Sequence, residues 1–407
     1  MHESGERAGP AALLALPDYR RLWVAGGLSN AMRFLEMLAA ALFTLDATDS
    51  ALAVALVTAA RSAPMLLLGA LTGVVADAWD RRRLLMGALA LACITAVLLA
   101  CTALSGALTP LLVGLGAFLG GIVAAAEMST RRRMLAEVAG PQRIAPAIAL
   151  DGVTNAVTRM IGPLAGGTAY ATIGIAGAYM VSAVLFAVAA LLVAGVSLRH
   201  PVRRLRLARV PAELKEGLAA ARANPALLMV LAVTVVMNAF GFSYNALVAP
   251  IGRVQWDLSA ERIGLLASAE ALGAFLGALV LTRGWENLPR RLVFIGGSAV
   301  VFAAVICFGL APGFWSALAL LVVGGLGSAG FANMQTTLVL TETPVEARSR
   351  VLGLVTVCIG TGPVGVLVAG MLAEPFGPAG AIIAMAMTGA VLLMLIAWWL
   401  RPGPPRL

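Results

Sequence analysis

Apolar stretches of about twenty residues recur along this chain, parted by short breaks rich in arginine or in glycine and proline. A helix of that length crosses the hydrocarbon layer of a bilayer, and the pattern is that of an α-helical polytopic membrane protein. Composition agrees: 60% of the 407 residues are hydrophobic and 12% are charged, against about 25% charged in an ordinary soluble domain. The reading is all-α with twelve transmembrane helices, at about 21–45, 51–76, 84–105, 108–130, 146–171, 175–197, 226–250, 261–282, 292–311, 314–337, 351–373 and 378–400.

The net charge of +9 reports topology. Of the 29 Lys and Arg residues, 24 fall in segments on one side, two (Arg253 and Arg262) on the other, and three inside spans. Such asymmetry marks the cytoplasmic face, and no nucleic-acid-binding motif accompanies it. An even number of crossings then places both termini in the cytoplasm. Cys93, Cys101, Cys307 and Cys358 all lie in apolar spans and read as free thiols. His2 and His200 lie outside the spans, which leaves no histidine for an intramembrane metal site or proton relay. The N-terminal MHESGERAGPAALLALPDYRR does not read as a cleavable signal peptide.

The longest break separates two six-span halves. We read residues 1–20 as a cytoplasmic tail, 21–197 as an N-terminal six-helix bundle, 198–225 as a cytoplasmic linker with an interfacial amphipathic helix, 226–400 as a C-terminal bundle and 401–407 as a second tail. Gly162-Pro163 in the fifth span recurs as Gly362-Pro363 in the eleventh, each pair followed by further glycines. Two pseudo-symmetric halves suit alternating access about a midplane site.

Motifs sharpen the reading. GVVADAWDRRRLL joins spans two and three, and its Gly73, Asp77, Arg81 and Arg82 resemble the signature loop of the major facilitator superfamily. Ala78 stands where an arginine often follows the acid, and Asp80 where glycine is frequent. Asp77 is placed to bond free amides at another helix N-terminus. The resemblance implies that this partner is the start of span eleven, near Arg350. GPLAGG, with Gly162, Pro163, Gly166 and Gly167, resembles the second half of the exporters' fifth-span antiporter motif; Ala149 and Thr158 replace its upstream glycines. Its glycines permit close helix approach, and its proline permits bending. PDYRRLW, RSAPMLLLGALTGVVAD, RRRMLAEVAGPQRIAPAIALD and AELKEGLAAARANPALL extend the likeness along nearly the whole chain. They resemble the subgroup of bacterial enterobactin-type siderophore exporters and macrolide efflux pumps, which implies proton-driven efflux across the bacterial inner membrane.

Charge inside the spans points to the working residues. An arginine or acid at a helix centre costs about 2.5–3.5 kcal/mol on insertion scales. Arg33, Arg61 and Arg159 lie near midplane, and we expect them to line one aqueous cavity with Asn30 and Asn155; Arg33 has Glu36 within i,i+3 reach. Carboxylates in low dielectric take up protons readily, which makes Glu270, then Glu36, the candidates for proton coupling. Asn238, Tyr244 and Asn245 in span seven, with Asn333 and Gln335 in span ten, suit either substrate hydrogen bonding or helix–helix contact.

In the first half, three arginines against one midplane acid favour an anionic or zwitterionic small-molecule substrate. Proton-coupled export by a monomer in the lipid bilayer is the leading reading. The alternatives are uptake of a metabolite anion, or a lipid flippase or non-transporting scaffold. Without a lysine-bearing nucleotide loop, a Ser/His constellation or metal-ligand spacing, neither an enzyme nor a cofactor is expected.

Overall fold

Lipid offers the backbone no hydrogen-bond partner, so each crossing segment must close its own ladder as a helix. The structure is a computed structural model, described over residues 10–78, 80–197, 216–219, 221–222, 224–281, 289–344 and 347–400, with the side chains of residues 10, 11, 67–78 and 349 outside the description. The described residues of the first half form α1 (Pro10–Leu14), α2 (Pro17–Thr48), α3 (Ala51–Ala78), α4 (Arg81–Leu104), α5 (Pro110–Ala139) and α6 (Ile144–Ala194). Those of the second form α7 (Pro225–Val236), α8 (Val248–Trp256), α9 (Ala260–Leu281), α10 (Arg290–Gly309), α11 (Phe314–Glu342), α12 (Arg348–Ile359) and α13 (Gly362–Trp399).

Local chemistry sets several boundaries. Asp80 caps α4 by accepting from the Arg83 amide at 2.9 Å, which gives this departure from the signature loop a structural role. Thr109 caps α5 ahead of Pro110, and Asn224 caps α7 ahead of Pro225, the position where a missing N–H costs nothing. Nine helices among the described residues are long and apolar enough to cross a membrane. Two of these stretches, Pro141–Ala194 and Arg350–Trp399, hold 54 and 50 residues, each about twice a single crossing. Gly174 (φ 68°) breaks the first and Gly377 (φ 72°) the second, both in backbone conformations that a side chain resists. Divided there, and with the 28-residue α3 included, the architecture accommodates the twelve expected crossings.

Three boundaries differ from the sequence reading. The segment STRRRMLAEVA, expected to leave the membrane as a loop, continues α5 to Ala139. Its Arg131 is buried and pairs back to Glu127 one turn earlier, so the helix has reason to extend. Span seven is not one helix: α7 passes into a π-turn at Met237–Gly241 and a 3-10 turn at Ser243–Ala246 before α8 begins. Span eleven is likewise divided, at Gly360-Thr361 between α12 and α13. Here Gly362-Pro363 starts a helix, whereas Gly162-Pro163 lies within one; proline is tolerated in a first helical turn because that N–H has no intrahelical acceptor.

Each half has its own core. One apolar cluster draws only on residues from Leu13 to Val196. The other runs from Ala221 to Leu393 and takes in Leu38 and Leu42 of α2. α6 packs on α9 and α3 on α13, joining the halves. Small residues make the first junction close: a methyl group at Gly167 would meet the Ala260 carbonyl of α9, and one at Gly264 the Pro163 carbonyl of α6; Gly166 gives the same closeness to α2 within the first half, facing the Leu35 carbonyl.

Candidate functional site

Between the halves lies a cavity of about 310 Å³. The first half contributes Phe34 and Met37 from α2, Thr58, Ser62 and Met65 from α3, and Arg159 and Pro163 from α6. From the second half come Asn238, Phe242 and Asn245 of the broken span seven, Glu270 of α9, and Gly362 and Pro363 at the head of α13. Both Gly-Pro pairs therefore supply residues to this one space.

Its electrostatic centre is an ion pair that crosses from one half to the other. Arg159 Nη2 donates to Glu270 Oε2. The partners are unequally placed: the Arg159 side chain is 42% exposed, while that of Glu270 is 5% exposed. Glu270 Oε1 makes no hydrogen bond among the described residues. The cation thus faces the cavity, and the carboxylate is held behind it with one oxygen unsatisfied.

Span seven's break shapes the opposite wall. The Phe242 amide reaches the Met237 carbonyl at 2.9 Å, the i→i+5 bond of a π-turn. Asn238 donates to the Thr234 carbonyl at 2.9 Å and Asn245 to the Phe242 carbonyl at 3.2 Å, so both amide groups satisfy backbone that the irregular turn loosens. Tyr244, from the same stretch, is 3% exposed and sits edge-on to Phe308 outside the cavity lining.

The three midplane arginines, expected in one cavity, are divided between two. Arg33 and Arg61 line a smaller cavity inside the first half with Glu36, while Arg159 lines the central one. Arg33 donates to Asn30 Oδ1 at 2.7 Å, its partner one turn back, and not to Glu36. The cation nearest Glu36 is Arg61, at 3.9 Å. Asn155 lies on α6 one turn before Arg159 and is half-buried. Asn333 returns its donor to the Ala329 carbonyl, and buried Gln335 donates to Thr234 Oγ1 at 2.7 Å, tying α11 to α7 outside both cavities.

At the arginine-rich end, Arg81 pairs with Glu137 of α5 at 3.2 Å and Arg82 donates to the last-turn carbonyl of Ala194 on α6. Both contacts stay within the first half. Gly73 and Asp77 lie outside the residues whose side chains are described. Arg350, near the expected partner of Asp77, pairs with Glu216 at 3.1 Å. At the opposite end the halves are stitched together: Arg253 meets Asp46 at 3.3 Å and Ser50 bonds Glu374 at 3.2 Å, while Tyr170, within the first half, holds Asp46 in place by donating to it at 2.8 Å.

A family model described as transmembrane secretion effector matches residues 8–402, nearly the whole chain. The chain belongs to this family of major facilitator transporters. Among curated relatives, the multidrug efflux pump Tap of Mycolicibacterium fortuitum is 27% identical over 374 residues, covering 88% of this chain and 89% of that protein. The enterobactin exporter EntS of Citrobacter koseri is 26% identical over 337 residues, covering 80% and 78%. Among solved structures, a bacterial homologue of the human lysosomal transporter Spinster superposes with a TM-score of 0.72 at 16% identity, over 95% of this chain and 99% of that one. The nucleoside transporter NupG superposes at 0.72 with 14% identity, over 95% and 99%.

For this major facilitator transporter, the sequence reading passed over Phe34, Met37, Thr58, Ser62 and Met65. A signal was present: Thr58, Ser62 and Met65 follow one another by four and three along α3, as Phe34 and Met37 do by three along α2. In a chain this apolar, methionine and phenylalanine at helical spacing also describe a lipid-facing or core stripe, so only the assembled helices separate the two.

Proposed function

We propose that this transporter exports a small amphipathic molecule with an anionic or zwitterionic group, siderophore- or drug-like, in exchange for protons. The Arg159–Glu270 pair carries the reading, because it places one exposed cation and one buried carboxylate in the cavity between the halves. Substrate engages both members: its anionic group binds Arg159, and a hydroxyl or ammonium donor binds the carboxylate of Glu270, whose Oε1 is unsatisfied. A proton on Oε1 discharges Glu270 and turns that oxygen from an acceptor into a donor, so the substrate's own donor loses its partner and the substrate is released; loss of the proton restores the site. Proton and substrate thereby exclude one another, the linkage that exchange requires. Phe34, Met37, Met65 and Phe242 offer the apolar body of the substrate a surface, with Asn238 and Asn245 at its polar edge.

In this account residues 21–197 and 226–400 rock as two six-helix bundles in the bacterial inner membrane, with the linker 198–225 and the tails 1–20 and 401–407 in the cytoplasm. The contacts of Asp46 with Arg253 and Tyr170 seal the outer end in the state seen here. The glycine- and proline-bearing segments at Gly162-Pro163 and Gly362-Pro363 serve as gating elements, along with the loop of Gly73, Asp77, Arg81 and Arg82. One chain encloses the pathway, so a monomer suffices.

Net flux under opposite pH gradients tests direction and charge together. In inside-out vesicles with an acid interior, enterobactin accumulates and ethidium, a lipophilic cation, does not. Accumulation of enterobactin only under the reverse gradient would make the protein an importer. Transport of ethidium alone would overturn the anionic assignment.

A further inference from the structure

The first half contains a second polar chamber that the substrate pathway does not use. It is a cavity of about 30 Å³ lined only by residues from Ser29 to Phe186, all of them in α2 to α6. Glu36 and Arg61 face each other across it at 3.9 Å, longer than a direct hydrogen bond, with both side chains 13% exposed. Arg61 spends a donor on the Arg33 carbonyl at 3.0 Å, and Arg33 turns to Asn30. Glu36 therefore lacks a close ion pair, and it lies in a space that admits about two water molecules and offers several polar partners.

The groups facing Glu36 come from every helix around it. Arg33 lies on its own α2, Arg61 on α3, Glu127 on α5 and Tyr179 on α6, while α4 presents Thr95 and apolar side chains. From this chamber a polar chain leads to the arginine-rich end. Ser29 donates to Glu127 Oε2 at 2.5 Å, and the other oxygen of Glu127 meets Arg131 at 3.3 Å. Arg131 pairs with Asp151, which lies 3.6 Å from Arg132, a side chain 46% exposed. Glu36, Glu127 and Asp151, interleaved with Arg33, Arg61 and Arg131, thus run from mid-depth to the surface without lining the central cavity.

We propose that this chamber is a hydrated proton-holding site, separate from the substrate cavity. Glu36 is its carrier, and the Ser29–Glu127–Arg131–Asp151 chain is its connection to the arginine-rich side. Water in the chamber delivers a proton to the Glu36 carboxylate and later receives it back, with Arg61 falling back on the Arg33 carbonyl while Glu36 is neutral. The transporter then carries a proton beyond the one exchanged at Glu270. The proposal takes its purpose from the proton-coupled reading, but its test needs no substrate.

Infrared difference spectra of the full-length protein in lipid, recorded across a pH titration, read the carbonyl stretch of protonated carboxylic acids directly. The expected spectrum contains a band that shifts rapidly in heavy water, disappears in Glu36→Gln and survives in Glu270→Gln. Glu36→Asp, the variant to use if Glu36→Gln fails to fold, moves the band without removing it. A set of bands that neither Glu36 variant changes would overturn the proposal. Failure of gradient-driven flux with the Glu36 band intact would instead count against the transport reading and leave the proton site standing.

Discussion

Replacing Glu270 with glutamine is expected to abolish gradient-driven accumulation while leaving substrate exchange between the two sides of the membrane in place. The amide keeps the size of the carboxylate and an acceptor oxygen that no proton converts into a donor, so the cavity retains its shape and a weaker, pH-independent hold on a substrate donor. What it loses is the capacity to take a proton beside Arg159. The site then accepts substrate at every pH, and the proton gradient has no means of expelling it. Counterflow of enterobactin in proteoliposomes continues, whereas net uphill movement falls to background. Arg159→Gln is expected to do something different: a charge-assisted hydrogen bond is worth about 1.5–3 kcal/mol, so substrate affinity drops by roughly 10- to 100-fold and exchange weakens with it. Equal losses of exchange and accumulation in both variants would count against a coupling role for Glu270.

Asp151→Ala is expected to be the most destabilising single change of a polar residue in the first half. Asp151 is 1% exposed and Arg131 is 3% exposed, and the pair links α6 to α5. Removing one partner of a buried ion pair typically costs about 3–5 kcal/mol, since the remaining charge keeps its desolvation penalty. Arg131 would retain Glu127 alone, at 3.3 Å. The lesion also reaches α2, because Arg131 lies directly over Gly26 and Glu127 accepts from Ser29. The thermal midpoint in detergent should fall by several degrees, and Asp151→Asn should fall less, keeping an acceptor for Arg131. An unchanged midpoint in Asp151→Ala would show that the α5–α6 charge cluster does not hold the bundle together.

How far the sequence discloses this site depends on the kind of signal. Arg159 and Glu270 could be singled out from the chain alone, because charge in a span is expensive and must answer to something. Their partnership could not: they lie 111 positions apart, on helices of different halves. Arg33 and Glu36 show the converse, since their i,i+3 spacing fits a pair on a helix, yet tertiary packing brings Arg61 to Glu36 and leaves Arg33 with Asn30. Asn238 and Asn245 line the cavity although the continuous helix assumed for span seven is broken, and Tyr244 does not. Gly241 and the run FSYN held the hint of that break, but hydropathy averaged over a span does not resolve one turn. Asn333 and Gln335 carry the same side-chain chemistry as Asn238 and Asn245, and only the packing of α11 on α7 turns Gln335 towards Thr234.

The central claim, that substrate and proton contend for one cross-bundle ion pair, is tested most directly by proton release on substrate binding. Purified protein in weakly buffered detergent solution, at a pH where part of the population holds its proton, is mixed with enterobactin in the presence of a pH-indicator dye. Binding is followed in parallel by intrinsic tryptophan fluorescence. A substrate that needs the Glu270 carboxylate as an acceptor drives its proton off, so the account predicts proton release that saturates with binding in the wild type and binding without that release in Glu270→Gln. Saturable binding with no proton movement in the wild type, or release that persists undiminished in Glu270→Gln, would contradict it.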